Sequence, residues 1–174
     1  MTMSLILFRH GKSDRTIDYD TDMDRPLNRR GRDSAVLMGQ FLADIDQVPD
    51  LALTSPARRA VDTLDLARRA GDWDCPVEVA GRLYEHGPAE AVQLFRTAIP
   101  SSADVVVAVG HEPTWSELVE ILTGATVRFP TAAMVNIEIE ADGWGSLAAA
   151  TGRLRWLMPS RAMAKLAGRS WTDR

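Results

Sequence analysis

The sequence predicts an α/β fold, a three-layer α/β/α sandwich built on a mostly parallel central sheet. Two observations carry this. Short strand-like runs alternate with helix-like stretches through most of the chain, and two of the runs, 5–8 (Leu-Ile-Leu-Phe) and 105–109 (Val-Val-Val-Ala-Val), are apolar at every position. A strand with no polar face must be covered on both sides, as strands are in parallel sheets flanked by helices. Between 133 and 157 two strands follow one another with little helix between them, so the sheet is expected to become mixed there.

The elements follow in order. After the strand at 5–8 comes a polar, Asp-rich stretch, 10–27. Connections of that length are usually functional. Asn28 can then cap a helix running to about 45, whose apolar positions Ala35, Met38, Leu42 and Ile45 share one face. A second strand, 51–53, ends at Thr54-Ser55-Pro56; Pro56 suits the first position of a helix capped by Ser55 and stopped at Gly71. A third strand is expected at 77–79 and a helix at 89–98, closed by Pro100. The run 105–109 ends at Gly110-His111, and Pro113 opens a helix to about 122 with Gly124 as its stop. Strands at 133–139 and 154–157 follow, and the tail from Ser160 reads as helical or loose. No linker or repeat breaks the pattern, so residues 1–174 are expected to form one domain.

Composition excludes several classes. A net charge of −4 argues against sequence-independent nucleic-acid binding, which needs a basic face. No apolar run approaches a membrane span, and the N-terminal run is short and ends at Arg9, so it reads as a strand rather than a signal peptide. The single Cys75 excludes an internal disulfide and fits a reducing compartment, so a cytoplasmic location is expected. Three histidines without zinc spacing and a lone cysteine call for no metal and no cofactor. The alternating acids from Asp18 to Asp24 begin like a calcium loop. Met23 stands where that loop needs glycine and Arg29 where it needs glutamate, so the segment reads as a solvated acidic loop. Trp115 and Trp144 read as packing residues.

Three polar features sit directly after predicted strands: Arg9-His10-Gly11, Ser55 to Arg59, and Gly110-His111. In open α/β sheets ligands bind beyond the carboxyl ends of the strands. If the three strands are neighbours, two arginines and two histidines converge. The following helices would direct their positive ends to the same place, which suits a phosphoryl dianion. Arginines make up 18 of the 20 basic residues, so only their position is informative. A neutral imidazole can attack phosphorus, while guanidinium forks offset the charge on the phosphoryl oxygens. Nearby arginines also disfavour protonation of His10. Such positioning and electrostatics can drive phosphoryl transfer without an obligatory metal.

These residues carry a resemblance. Leu7-Phe8-Arg9-His10-Gly11-Lys12-Ser13, Asp24-Arg25-Pro26-Leu27-Asn28-Arg29-Arg30-Gly31, Ser55-Pro56-Ala57-Arg58-Arg59-Ala60-Val61-Asp62-Thr63 and Val109-Gly110-His111-Glu112-Pro113 resemble, in order and spacing, motifs of the histidine phosphatase superfamily. That superfamily includes the phosphoglycerate mutases, and the chain is most similar to its short SixA-type phosphohistidine phosphatases. The resemblance implies a phosphoglycerate mutase-like fold, His10 as nucleophile, and Arg9, Arg59 and His111 around the phosphoryl group. It puts Arg59 rather than Arg58 in the pocket. Glu85, in Leu83-Tyr84-Glu85-His86, is the candidate proton donor. Ser13 and Lys12 are candidate substrate contacts, and His86 is a weaker one.

The expected activity is metal-independent hydrolysis of a phosphoramidate or phosphomonoester through phospho-His10. The short chain leaves little material for a lid, so an open pocket that admits a phosphorylated protein side chain is expected, and the SixA-type resemblance implies phosphohistidine on a protein as the substrate. A small-molecule phosphomonoesterase or mutase-like enzyme acting on a phosphorylated metabolite is the rival enzyme reading. A non-catalytic phosphate-recognition module is the rival outside enzymes.

Overall fold

The computed structural model describes residues 3–84 and 86–168. Its elements run β1 (Met3–Arg9), α1 (Arg29–Asp44), β2 (Leu51–Thr54), α2 (Arg58–Ala70), β3 (Val77–Val79), α3 (Pro88–Ala98), β4 (Val105–Gly110), α4 (Thr114–Thr123), β5 (Met134–Ile139), β6 (Gly152–Met158) and α5 (Ser160–Leu166). A short 3-10 turn, Asp22–Asp24, lies inside the long segment after β1.

The six strands form one sheet in the order β3-β2-β4-β1-β5-β6. The four strands from β3 to β1 are mutually parallel. β5 runs antiparallel to β1, and β6 antiparallel to β5. The sheet is therefore mixed at the edge where the sequence pattern loses its intervening helix.

The wholly apolar strands explain the layers. Along β1, Leu5 and Leu7 face one cluster with Ala91, Leu94 and Phe95 of α3 and Leu118 and Leu122 of α4. Ile6 and Phe8 face the other, with Met38 and Leu42 of α1 and Ala60 and Leu64 of α2. All four β1 side chains are fully buried. Each contributes roughly 1.5–3 kcal/mol relative to exposure. Helices on both faces give the α/β/α sandwich.

Several local expectations hold and several shift. The Asn28 side chain caps α1 by accepting from the Gly31 N–H at 2.8 Å. Ile45 lies past the end of α1 and is partly exposed, while Leu37 and Phe41 complete the buried face. Ser55 does not cap α2, because the helix begins at Arg58 after Ala57. Its hydroxyl accepts from the Ala57 N–H at 3.2 Å instead and shapes the turn before the helix. Pro113 precedes α4 rather than opening it. Trp115 and Trp144 are buried, and their indole N–H groups donate to Phe8 O and Ala103 O. Among the described residues no helix is long and apolar enough to cross a membrane.

Helices α1 and α2 meet through Gly39, where a built Cβ would stand 2.1 Å from the Ala67 carbonyl oxygen. Backbone is there on both sides, so neither helix can yield locally. Gly39→Ala should cost about 1–3 kcal/mol through forced separation of the helices. Urea unfolding checks this, and an unchanged midpoint would show that the two helices slide freely.

Candidate active site

Strand order creates the site. β4 lies between β1 and β2, with Arg9 in register with Gly110 and Thr54 with Val109. The His10 N–H donates to Gly110 O at 3.1 Å and the Ser55 N–H to Val109 O at 3.0 Å. Three chain segments that each carry a polar motif therefore leave the sheet side by side. They open onto a cleft of about 1010 Å³ whose lining includes Arg9, His10, Arg59 and His111.

His10 is only 8% exposed. Its Nδ1 lies 2.7 Å from the Gly11 carbonyl oxygen. A carbonyl can only accept, so Nδ1 carries the proton and Nε2 keeps its lone pair. The Arg59 Nε–H points at Nε2 from 3.4 Å. The His111 ring stands 5.1 Å from the His10 ring, centroid to centroid, and its Nε2 is 2.8 Å from the Ser55 hydroxyl. Arg9 donates through Nη1 to Phe129 O at 2.8 Å, and its buried Nε has no partner among the described residues.

Helix periodicity explains one motif. Arg59 and Thr63 lie four residues apart on α2, hence on one face, and Ser55 lies four residues earlier in the turn. Ser55 holds His111, and Arg59 meets His10. The Thr63 hydroxyl accepts from the Gly11 N–H at 2.9 Å and donates to Arg59 O at 2.6 Å. Gly11 packs so closely on α1 that a Cβ would stand 2.6 Å from Gly31 O.

Electrostatics follow from this burial among cations. Desolvation is the main influence on His10, lowering its pKa from 6.5 to about 3. The hydrogen bond to Gly11 opposes it, and His111, Arg59 and Arg9 add to it. His111 falls to about 4, again chiefly by desolvation, with Arg59 next and Asp22 opposing. Desolvation also lowers Arg9, against the attraction of Glu112. Both imidazoles are neutral at pH 7.

The structure thus brings Arg9, His10, Arg59 and His111 together. Arg58 is on the surface, 3.6 Å from Asp62. Lys12, Ser13 and His86 line the cleft. The Ser13 hydroxyl accepts a hydrogen bond from Arg25 Nη1. Glu85 lies outside the described residues.

The reading of 18–24 as a solvated loop needs correction at Asp22. Its carboxylate pairs with Arg59 at 2.9 Å and Arg25 at 2.8 Å within the cleft. Burial raises the Asp22 pKa, but the Arg25 hydrogen bond and the charges of Arg59 and Arg25 outweigh it and leave the pKa lowered. Sequence reasoning also missed Arg25 as a cleft residue. Its signal was available, since Arg25 sits inside a family motif. Tyr84, whose ring meets His111 edge-on at 5.7 Å, carried no such signal. Among the described residues no group of three or more His, Cys, Asp or Glu is arranged to hold a metal ion.

A sandwich of this topology with a cationic cleft at the strand ends defines an α/β class suited to binding an anion. Comparison with known proteins makes the class specific. A model described as histidine phosphatase superfamily (branch 1) matches residues 5–112. The chain belongs to that superfamily. An uncharacterized protein of Mycobacterium tuberculosis is 33% identical over 150 residues, covering 80% of this chain and 90% of that one. The 2,3-bisphosphoglycerate-dependent phosphoglycerate mutase of Mycobacterium leprae is 41% identical over 88 residues, covering 48% of this chain but only 35% of the mutase. The structure of a candidate SixA phosphohistidine phosphatase from Nakamurella multipartitia superposes with a TM-score of 0.80 at 25% identity, covering 91% of this chain and 96% of that one.

Two predictions test this geometry. Thr63→Val removes the hydroxyl that serves both Gly11 and Arg59, and should cost about 1–3 kcal/mol in urea unfolding because a buried N–H loses its acceptor. A change below about 0.5 kcal/mol, the range of ordinary surface substitutions, would show that Gly11 finds another partner. For pH, both rings bind fewer protons folded than unfolded below the ordinary 6.5. Their contribution to stability is therefore full above 6.5 and declines as pH falls toward about 4 and then 3. Ring 15N shifts should keep the neutral pattern at pH 5; titration of either ring near 6.5 would contradict the burial argument.

Proposed function

We propose that this protein is a metal-independent phosphatase acting through a phospho-His10 intermediate. The observation that carries the reading is the His10 ring itself. It is buried, protonated on Nδ1 by its bond to Gly11, and left with a lone pair on Nε2 beside Arg59 and His111. Nε2 attacks phosphorus, the bond to the leaving group breaks, and the leaving atom takes a proton. Water then attacks phospho-His10, restoring the imidazole and releasing inorganic phosphate. Arg9 and Arg59 donate to the phosphoryl oxygens and offset their charge, and His111 adds a hydrogen bond that strengthens as charge develops. Ser13 is a candidate substrate contact through the hydroxyl that Arg25 holds. Glu85 remains the candidate donor to the leaving atom; its neighbours Tyr84 and His86 border the cleft.

The substrate we favour is phosphohistidine on a protein in the cytoplasm. The open cleft and the likeness to the Nakamurella protein support it. A protonated imidazole is also a good leaving group that makes little demand on a general acid. A phosphorylated small metabolite is the second reading, favoured by the local identity to the mutase.

The test uses the purified protein in EDTA with phosphohistidine and p-nitrophenyl phosphate. Both should be hydrolysed, and His10→Ala should lose at least about a thousandfold in kcat, as loss of a nucleophile does. Brief quenching should trap an acid-labile phosphoryl group on the wild type only. Activity that returns only with a divalent cation, or survives in His10→Ala, would falsify the mechanism.

A further inference from the structure

Phosphate binding alone has no need of a carboxylate in the cleft, yet Asp22 is built into it. Its Oδ2 accepts from Arg59 Nη2 at 2.9 Å and from the Tyr84 hydroxyl at 3.4 Å. Its Oδ1 accepts from Arg25 Nε at 3.0 Å and Nη2 at 2.8 Å, and its main-chain oxygen from Arg59 Nη1 at 2.7 Å. Two guanidinium forks therefore fix the carboxylate from both sides. Its side chain still keeps 53% exposure at the cleft.

The charges around it can be counted. Arg9, Arg25 and Arg59 are positive, Asp22 is negative and the two imidazoles are neutral, which leaves two positive charges for one phosphoryl dianion. In the rest of the lining Lys12 and Arg15 are outnumbered by Asp14, Glu112 and Glu117, and Glu112 acts on Arg9, which lowers the positive charge of the cleft further. The cleft thus matches a phosphoryl group and has no surplus for a second anion. A substrate with a carboxylate or second phosphate beside its phosphoryl group would set that charge against Asp22. A leaving group with a protonated nitrogen would meet an opposite charge there.

We propose that Asp22 is a specificity-determining residue that selects phosphoryl groups borne on neutral or protonated nitrogen and refuses those with a neighbouring anion. The turnover part of this rests on the phosphatase reading above; the binding part does not.

The experiment compares wild type with Asp22→Asn, which keeps the shape and removes the charge. Phosphoimidazole and 3-phosphoglycerate serve as substrates, and calorimetry measures binding of 3-phosphoglycerate and inorganic phosphate. The kcat/KM ratio of phosphoimidazole to 3-phosphoglycerate should fall about thirtyfold in the variant, as expected for a charge at close range in a partly screened site. Affinity for 3-phosphoglycerate relative to inorganic phosphate should rise about tenfold by the same argument. A parallel loss on both substrates with both ratios unchanged would make Asp22 only a support for Arg59 and overturn the proposal. If wild type hydrolyses neither substrate, the phosphatase reading fails, and the binding ratio alone decides the charge filter. An unchanged binding ratio then overturns it.

Discussion

Everything at the cleft depends on one pairing: β4 lies between β1 and β2, hydrogen-bonded in parallel to both. Backbone hydrogen bonds fix the register, so Arg9 stands beside Gly110 and Ser55 follows on from Val109. The two histidines are far apart in the chain but adjacent through this ladder. A shift of one residue in β4 would turn its alternating side chains to opposite faces. It would also carry His111 out of line with His10. The buried apolar residues on both faces of β4 resist that slip, so the hydrophobic core and the site geometry are one constraint.

The second support is helix α2. A four-residue spacing in a helix returns to the same face, which lets one short segment touch three parts of the site. Ser55 fixes the His111 ring, Arg59 lies against His10, and Thr63 ties the Gly11 backbone to the helix. The same hydroxyl of Thr63 accepts from one and donates to the carbonyl of the other. Side chains on a helix whose buried face packs on the sheet have little freedom to drift. The close approach of Gly11 to Gly31 adds a further limit, because backbone meets backbone there with no flexible side chain between.

Much of this was legible in the sequence, for identifiable reasons. Short runs apolar at every position and rich in β-branched residues or bounded by polar motifs suit strands covered on both faces, so β1 and β4 and their double covering could be read from the sequence. Motifs placed at strand ends then located the cleft. What escaped was set by tertiary geometry. Ser55 has the composition of a helix cap, but Ala57 takes that position and the hydroxyl serves His111 instead. Asp22 lies among alternating acids that look uniformly solvated. Only the folding back of the 10–27 segment distinguishes it, by setting it against Arg25 and Arg59. Local sequence carries no record of which acid in a run meets a distant arginine.

The charge state of the cleft follows from a competition between burial and attraction. Three arginines crowd the site, and a fourth or fifth cation would be costly to desolvate. Burial and the arginine field settle this by keeping both imidazoles neutral. The same neutrality gives His10 a lone pair, so what prevents excess positive charge also suits the ring to the nucleophilic role proposed for it. Asp22 works in the other direction. It is ionised because two arginines hold it, and in turn it fixes their forks and removes one positive charge from the cleft. A cation cluster without such a counter-charge would attract any anion and hold it tightly. With Asp22 in place the site holds enough charge for one phosphoryl group and little beyond it, which, on the phosphatase reading proposed above, would favour release of phosphate once the bond has been cut.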